Sequence, residues 1–247
     1  MSIKDLFSKI YVINLDRDKD RYEYVLSELK NKNSDLINHI QRFSAIDGRL
    51  INIASVDSSI ITQTAKKDIL NKKQRIYGVT MTYGSLGCAL SHKKICEMCV
   101  EENNKPYLIF EDDIILYDNF DNHLLDLMNE LEKIQYDIVY LGFHQIPHAK
   151  QTRINNVLSQ PSGLICGTFG LILSPSGAQK ILNIFPLNYQ IDSSISHNLK
   201  NLKAYCHTLQ IVQMNKSFKS NTQREYSTQN IYNKNDKNSS WNKLFDK

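Results

Sequence analysis

The sequence lacks the patterns that identify several large classes of protein. It contains no run of 18 apolar residues, so no membrane-spanning helix is expected. Residues 1–9 carry an acid, and their apolar run breaks after a few residues, which is unlike a secretory signal. The net charge of the 247 residues is only +4, and no basic stripe with interleaved aromatic residues occurs, which argues against nucleic acid as a partner. We therefore expect a cytoplasmic protein whose contact with membranes is peripheral at most.

Common phosphate-binding and nucleophile motifs are also missing. No G-x-x-x-x-G-K-S/T loop is present, and residues 84–87 (GSLG) lack the third glycine and the preceding strand of a dinucleotide-binding fingerprint. The Gly-x-Ser-x-Gly elbow of many serine hydrolases does not occur. Cysteine is scarce: five residues without a disulfide-rich spacing indicate a reducing compartment. Cys96 and Cys99 form a C-x-x-C pair without the second pair of a zinc site, so we predict that they pack in the core.

Strand-like apolar runs alternate with segments of helical periodicity. Runs that favour strands occur at residues 10–15, 107–110, 137–142, 168–173 and 208–212. The alternation predicts an α/β fold, a single domain with a mostly parallel central sheet flanked by helices. We assign the domain to residues 1–214 and predict that the polar extension 215–247 drapes over the surface or is partly disordered. Residues 49–83 are polar and predict loops, with one helix near 65–70, that are a candidate lid.

The most informative feature is a group of three acids, Glu111, Asp112 and Asp113, between apolar runs at 107–110 and 114–116. Carboxylates this close repel one another, so holding all of them ionised takes a metal ion or a basic partner. The preceding run is typical of a buried strand, and open α/β sheets carry their sites where strands end. The pattern alone leaves open a solvated turn in which an aspartate caps a helix.

Basic and polar residues near two predicted helix starts are a candidate phosphate environment. They are Arg17, Arg21, Ser91, His92 and Lys93 or Lys94. Helix N-termini and positive side chains bind phosphates, and Mg²⁺ or Mn²⁺ prefers the oxygen ligands that the three acids offer. The alternative is that both arginines belong to a solvated first turn and that His92 is a packed or surface histidine.

Six blocks of sequence, in the same order, resemble glycosyltransferase family 25, which contains bacterial lipooligosaccharide galactosyltransferases and collagen hydroxylysine galactosyltransferases. The blocks are residues 10–21 (IYVINLDRDKDR), 45–48 (AIDG), 87–92 (GCALSH), 108–114 (LIFEDDI), 137–142 (DIVYLG) and 170–178 (GLILSPSGA). Each block alone is a weak match, whereas the ordered set makes coincidence a poor explanation.

The resemblance implies a GT-A type fold, in which an acidic motif holds Mn²⁺ or Mg²⁺ against the diphosphate of a UDP-sugar. It implies that Asp113, with Asp112, binds the metal, and that Glu111 and Asp112 hold the ribose or a metal-bound water. Asp47 is a weaker candidate for substrate contact. The remaining residues that the resemblance assigns to the nucleotide and its diphosphate are Asn14, Leu15, Arg17, Arg21, Ser91 and His92.

The resemblance also implies an inverting transferase, in which one carboxylate deprotonates the acceptor hydroxyl. Asp192 matches the acid that the family carries near this point, although an aspartate there can also serve only to cap a helix. One departure concerns a Ser-Asp pair common in the family, which is replaced here by Ser220-Asn221. His207 is a further candidate ligand, with a structural role as the alternative.

The function that follows is transfer of a hexose, galactose before glucose, from a UDP-sugar to a hydroxyl of a glycan, a lipid-linked or a protein acceptor. A catalytically inactive nucleotide-sugar or glycan-binding protein of the same fold is the alternative. A metal-dependent phosphodiesterase is a third hypothesis, which the missing His/Asp ligand spacings disfavour.

Overall fold

The computed structural model describes residues 3–72, 79–145 and 149–222. The strands are β1 (Lys9–Asn14), β2 (Gln41–Ser44), β3 (Tyr107–Glu111), β4 (Ile114–Leu116), β5 (Ile138–Tyr140), β6 (His144–Gln145), β7 (Lys150–Arg153), β8 (Leu158–Ser162), β9 (Ile165–Cys166), β10 (Gly170–Leu173), β11 (Ala204–His207) and β12 (Val212–Met214). The α-helices are α1 (Lys19–Asn31), α2 (Gln63–Asn71), α3 (Tyr83–Glu102), α4 (Phe120–Leu131), α5 (Pro175–Leu182) and α6 (Ile191–His197).

Eight of these strands form one sheet in the order β2-β1-β3-β10-β5-β11-β8-β7. β1 pairs in parallel with β2 and β3, and β5 pairs in parallel with β11. β10 lies antiparallel between β3 and β5, and β8 and β7 continue the sheet in antiparallel fashion. The predicted α/β domain with a central sheet and flanking helices is confirmed, and antiparallel strands join its two parallel parts.

Strand β3 is buried on both faces of the sheet. Tyr107 and Ile109 belong to the core cluster that contains buried residues of α2, α3, α5 and α6, whereas Leu108 and Phe110 belong to the cluster that contains those of α1 and α4. A strand covered on both sides has no polar face, which explains why its sequence is a continuous apolar run. The acids can therefore begin only where the strand leaves the core.

Side-chain caps define the starts of two helices. The Thr82 hydroxyl accepts the Ser85 N–H at 3.0 Å, and the Ser85 hydroxyl accepts the Thr82 N–H at 2.7 Å, so α3 begins with a reciprocal capping box. Ser174 accepts the Gly177 N–H at 3.0 Å and Pro175 is the first residue of α5, as the sequence predicts. Both capping interactions join residues three positions apart, so they fix the helix start independently of how the helix packs.

One predicted strand is wrong in position. Residues 208–211 form a turn between β11 and β12, in which Gln210 has a positive φ of 48°. The His207 ring accepts the Leu209 N–H through Nδ1 at 3.1 Å, and the His207 backbone oxygen accepts the Gln210 N–H at 3.2 Å, so the chain turns at the end of β11. The helix predicted near 65–70 is present as α2, while residues 73–78 of the candidate lid lie outside the described residues.

None of the described helices combines the length and the apolar composition that crossing a membrane requires. Residues 223–247, which hold most of the predicted polar extension and its lysines, are not among those described.

Candidate functional site

The three acids lie at the turn between β3 and β4, at the edge of the sheet where β1 also ends. Ile13 of β1 is in register with Glu111, the last residue of β3. Asp112 and Asp113 form the turn and are only 6% and 8% exposed. Because both side chains are buried, the turn is not the solvated one that the sequence pattern left open.

Arg21 is the basic partner of this turn. Its guanidinium lies 2.6 Å from Asp112 Oδ1 and 2.9 Å from Asp113 Oδ2, and its side chain is 7% exposed. The ring of Phe218 covers the guanidinium at 5.0 Å. For Arg21, the alternative of a solvated first turn is therefore wrong, because the first turn of α1 faces the acids.

The two aspartates differ in what their oxygens contact. Asp112 Oδ2 accepts the side-chain N–H of Asn14 at 2.7 Å, so both of its oxygens have partners. Asn14 in turn accepts from Arg42 Nε at 2.8 Å. Asp113 Oδ1 is buried and has no hydrogen-bond partner among the described residues. A buried carboxylate oxygen without a donor is costly, so this atom is a candidate cation ligand.

The strap, residues 215–222, crosses this edge of the sheet. At one end the Asn215 N–H donates to the backbone oxygen of Asp113 at 2.6 Å. At the other end the Thr82 hydroxyl donates to the backbone oxygen of Thr222 at 2.6 Å. The strap therefore connects the acidic turn with the start of α3.

Asn221, where the family commonly has an aspartate, lies within the strap. Its Nδ2 donates to Asp18 Oδ2 at 2.7 Å, and its buried Oδ1 has no hydrogen-bond partner among the described residues. The backbone oxygen of Asn221 sits so close to Gly84 that any side chain at Gly84 would collide with it. Glycine at the start of α3 is thus required by the approach of the strap.

Arg17 and Asp47 lie next to each other at the rim of this region and form an ion pair. Asp47 also caps the short 3₁₀ helix Gly48–Leu50 by accepting the Arg49 N–H at 3.1 Å. Leu15, which follows β1, is half-buried. Arg17 is exposed, whereas Leu15 and Asp47 are half-buried, so Arg17 can meet a ligand from solvent.

The side chains of Ser91 and His92 have different partners. The Ser91 hydroxyl accepts the Ile46 N–H at 2.9 Å and donates to the Gly87 backbone oxygen at 2.8 Å, so it already serves two backbone groups. His92 Nε2 lies 3.8 Å from Glu111 Oε1. The Glu111 carboxylate also accepts the Thr168 hydroxyl at 2.6 Å.

Asp192 lies inside the first turn of α6, whose N-cap is Gln190, so the alternative of a helix-capping aspartate is wrong. Its side chain also binds a second segment. Asp192 Oδ2 accepts the Gly167 N–H at 3.0 Å, and Oδ1 accepts the N–H of Ser193 at 2.6 Å. Gly167 has φ of 99°, a conformation that favours glycine. The site thus includes a loop before β10 that contacts Asp192.

Burial controls the protonation of these acids. It raises the pKa of Asp112 to about 6 and that of Asp113 to about 7, although Arg21 opposes both shifts. Burial also raises the pKa of Asp192, an effect that the N–H groups of Gly167 and Ser193 reduce but do not cancel. For Glu111, burial is outweighed by the attraction of His92 and the Thr168 hydroxyl, so its pKa is lowered. Glu111 is thus the most strongly ionised member of the acidic turn.

Several residues of the site carry no signal in the sequence. Arg42 is a lone base in β2, Thr168 follows a loop, and Phe218 lies in a polar tail. Cys88 lies one helical turn before His92 on α3. It differs from the core cysteines only in its position near Glu111, which the sequence does not show. These residues become visible only when distant segments meet. His207, by contrast, is buried on β11 with one ring nitrogen bound to backbone.

Comparison with known proteins identifies relatives of about three quarters of this chain. The family model for glycosyltransferase family 25 (LPS biosynthesis protein) matches residues 7–195. The inactive glycosyltransferase 25 family member 3 of Homo sapiens is 32% identical over 188 residues, which cover 73% of this chain and 29% of the relative. Procollagen galactosyltransferase 1 of Danio rerio is 28% identical over 187 residues, again 73% of this chain and 29% of the relative. The chain therefore spans less than a third of the length of these relatives.

Proposed function

This chain belongs to glycosyltransferase family 25, and on that premise we propose that it transfers a hexose from a UDP-sugar to a hydroxyl acceptor. Galactose is the first candidate and glucose the second, because several relatives are named procollagen galactosyltransferases. The acceptor is a hydroxyl of a glycan, of a lipid-linked sugar or of a protein.

The observation that carries the proposal is the buried acidic turn with one unsatisfied oxygen. Asp113 Oδ1 has no donor among the described residues, and burial raises the pKa of Asp113 to about 7 despite Arg21. A bound divalent cation would pair this oxygen and would also stabilise the ionised carboxylate. Mn²⁺ and Mg²⁺ prefer oxygen ligands of this kind. We infer that Asp113 supplies the first metal ligand. Asp112, whose oxygens contact Arg21 and Asn14, is the second candidate ligand next to it.

When bound, such a cation stabilises the negative charge that develops on the departing UDP. The residues of the chain position the nucleotide around it. Arg21 contributes fixed positive charge, Asn14 and Leu15 line the edge of β1, and Glu111 holds the ribose or a metal-bound water. Arg17 and Asp47 extend the predicted contact set at the rim, and Ser91 and His92, which are buried on α3, complete it from below. Arg17 is exposed and can exchange its ion pair with Asp47 for a phosphate oxygen.

Asp192 is the proposed general base. Its two backbone donors fix the carboxylate, and burial raises its pKa, so the group takes a proton more readily than a solvated aspartate. Attack by the acceptor oxygen from the face opposite UDP would invert the anomeric carbon. Asp192 is the second residue of α6 and Gln190 is its N-cap, so the carboxylate is held by the N–H groups of Gly167 and Ser193 and not by a capping role.

The proposal is tested by assaying transfer and slow hydrolysis of UDP-galactose and UDP-glucose, with Mn²⁺ and with EDTA. We expect EDTA to abolish turnover of the native chain, and Asp113→Asn to reduce turnover at least 100-fold, roughly the effect of removing a catalytic electrostatic contact. Asp118→Asn is the matched control, because Asp118 follows β4 and is 85% exposed. Full activity of Asp113→Asn in EDTA would refute the metal role.

A second candidate is a binding protein that has lost turnover. It is favoured by relatives whose names describe them as inactive, including those of Homo sapiens and Mus musculus at 32% identity. Calorimetry distinguishes the two functions: heat of UDP-sugar binding in the presence of Mn²⁺, together with no release of UDP over a broad acceptor panel, would favour the binding protein.

The cellular location is also part of the proposal. All five cysteines are free thiols, two of them half-buried, which supports a reducing compartment such as the cytoplasm. Peripheral contact with a membrane would depend on residues beyond 222. Nucleic acid is not among the proposed partners.

A further inference from the structure

Helix α3 and strand β3 bring three different potential metal ligands together. Cys88 and His92 are four residues apart on α3, so their side chains lie on the same face. Glu111 reaches the same place from the end of β3. The Cys88 sulfur, a ring nitrogen of His92 and a carboxylate oxygen of Glu111 all lie within 4.8 Å of one another. Among the described residues they make up the single such group of three.

The His92 ring provides an independent sign of a missing ligand. His92 is 4% exposed, and its buried Nε2 has no hydrogen-bond partner among the described residues. The nearest acidic atom, Glu111 Oε1, lies 3.8 Å away, beyond hydrogen-bond distance. Buried polar atoms are normally paired, and metal-ligating histidines commonly use this nitrogen.

The surroundings of Cys88 favour a cation over a free thiolate. Burial raises the pKa of the Cys88 thiol well above its usual value, and the charges of Glu111, Asp192, Asp113 and Asp112 raise it further. Of these carboxylates, Glu111 lies within 4.8 Å of the sulfur, where its negative charge attracts divalent ions. Without a cation the thiol stays protonated and unreactive.

We propose that Cys88, His92 and Glu111 bind Zn²⁺, forming a second metal site of sulfur, nitrogen and oxygen ligands beside the all-oxygen site at Asp113. Zinc accepts sulfur, nitrogen and oxygen ligands, whereas Mg²⁺ and Mn²⁺ favour oxygen. On binding, the Cys88 thiol gives its proton to solvent and its sulfur forms the bond to zinc. Three protein ligands leave a fourth position for water or a substrate atom.

The movement required is small. Ligand atoms around tetrahedral zinc are roughly 3.5 Å apart, given bond lengths of about 2.0 to 2.3 Å. His92 and Glu111 are already 3.8 Å apart, and the remaining separations are at most 4.8 Å. Changes in side-chain torsion are sufficient to close them. The Thr168 hydroxyl, 2.6 Å from Glu111 Oε1, orients this carboxylate as a supporting contact would.

The site can be tested with Co²⁺ and Zn²⁺ alone, without any sugar nucleotide. Cobalt added to the metal-free, reduced full chain should give the near-ultraviolet absorption of a cobalt–thiolate bond, and one equivalent of Zn²⁺ should abolish it. Excess Mg²⁺ should leave it intact, because magnesium does not compete for sulfur. Cys88→Ser should eliminate the band, and His92→Gln or Glu111→Gln should weaken Zn²⁺ binding at least tenfold.

Cys166→Ser is the matched control, because Cys166 is another half-buried thiol close to Asp192 but outside the cluster. It should retain the band. A native chain without the band, or a Cys88→Ser variant that keeps it while circular dichroism shows native folding, would overturn the proposal. If Cys88→Ser fails to fold, the Zn²⁺ affinities of His92→Gln and Glu111→Gln test the site instead. Unchanged Zn²⁺ affinity in both variants would overturn the proposal. The cobalt band is measured without sugar nucleotide, so its absence overturns the zinc site alone. The metal role in transfer is tested at Asp113, which is not a ligand of the zinc site.

Discussion

The guanidinium of Arg21 lies 2.9 Å from the carboxylate of Asp113, and 2.6 Å from that of Asp112, in a region where all three side chains are nearly excluded from solvent. One arginine thus compensates two buried acids, while Asp113 keeps an unsatisfied oxygen. The positive charge and the proposed cation stabilise the same pair of carboxylates, so the effect of one should depend on the presence of the other.

Arg21→Gln should destabilise the protein in EDTA and make it more responsive to divalent cations. Removing one partner of a buried pair costs about 3 kcal/mol, because the remaining charges stay buried without compensation. Bound Mn²⁺ would restore part of this free energy, so the rise in melting temperature with Mn²⁺ should be larger for the variant than for the native chain.

Lys32→Gln is the control for Arg21→Gln. Lys32 pairs with the exposed Asp118, and such surface pairs are worth about 0 to 1 kcal/mol. Equal Mn²⁺-induced rises in melting temperature for the native chain and Arg21→Gln would show that Arg21 and the cation do not stabilise the same carboxylates.

Asp192→Asn should reduce transfer roughly 10² to 10⁴-fold while UDP-sugar affinity changes by less than a few fold. The amide oxygen can still accept a backbone N–H, but the amide cannot take a proton. In the native chain kcat/KM should rise with pH through the pKa of Asp192, which lies above the usual range for aspartate. A parallel loss of binding, measured by calorimetry, would instead indicate damage to the fold around Gly167.

His207 should make the protein less stable in acid. Burial, with a smaller effect of His123, lowers the pKa of His207 to about 4 in the folded state, whereas the unfolded value is near 6.5. Between these values the unfolded chain binds the extra proton, so the free energy of unfolding falls as pH falls from about 6.5 to 4. The maximum contribution is roughly 3 kcal/mol.

Urea denaturation of the native chain and His207→Gln at pH 7.0 and 5.0 measures this contribution, since the variant should lose less stability on acidification. His39→Gln, a half-buried position outside the core, controls for the loss of a histidine as such. An identical pH dependence for His207→Gln and the native chain would refute the assignment.

Asn221→Asp should lower the melting temperature in EDTA, and Mn²⁺ should recover part of the loss. The substitution replaces a hydrogen bond to Asp18 with two facing carboxylates, which costs roughly 1 to 3 kcal/mol. Asn221→Ala removes the donor without adding charge, so it should lose stability without a gain in metal response. An increase in stability of Asn221→Asp in EDTA would contradict this arrangement of the strap.

Much of the fold could be predicted because its signals are local. The apolar run of β3 is continuous since both of its faces are buried, and Ser174-Pro175 start α5 through their own backbone chemistry. The shift of the predicted strand at 208–212 has the opposite cause, a hydrogen bond from Leu209 to the His207 ring that no periodicity reports.

The α/β class, the family and the position of the acids at the end of β3 follow from the residues alone, because apolar periodicity and ordered motifs are properties of neighbouring residues. What neutralises those acids, and which oxygen stays unsatisfied, depends on the folded arrangement. Arg21, Asn14 and the strap reach the turn from distant segments, and the balance of burial against these contacts sets the charge of each carboxylate. Electrostatic roles depend on distance in space, which spacing along the chain does not record.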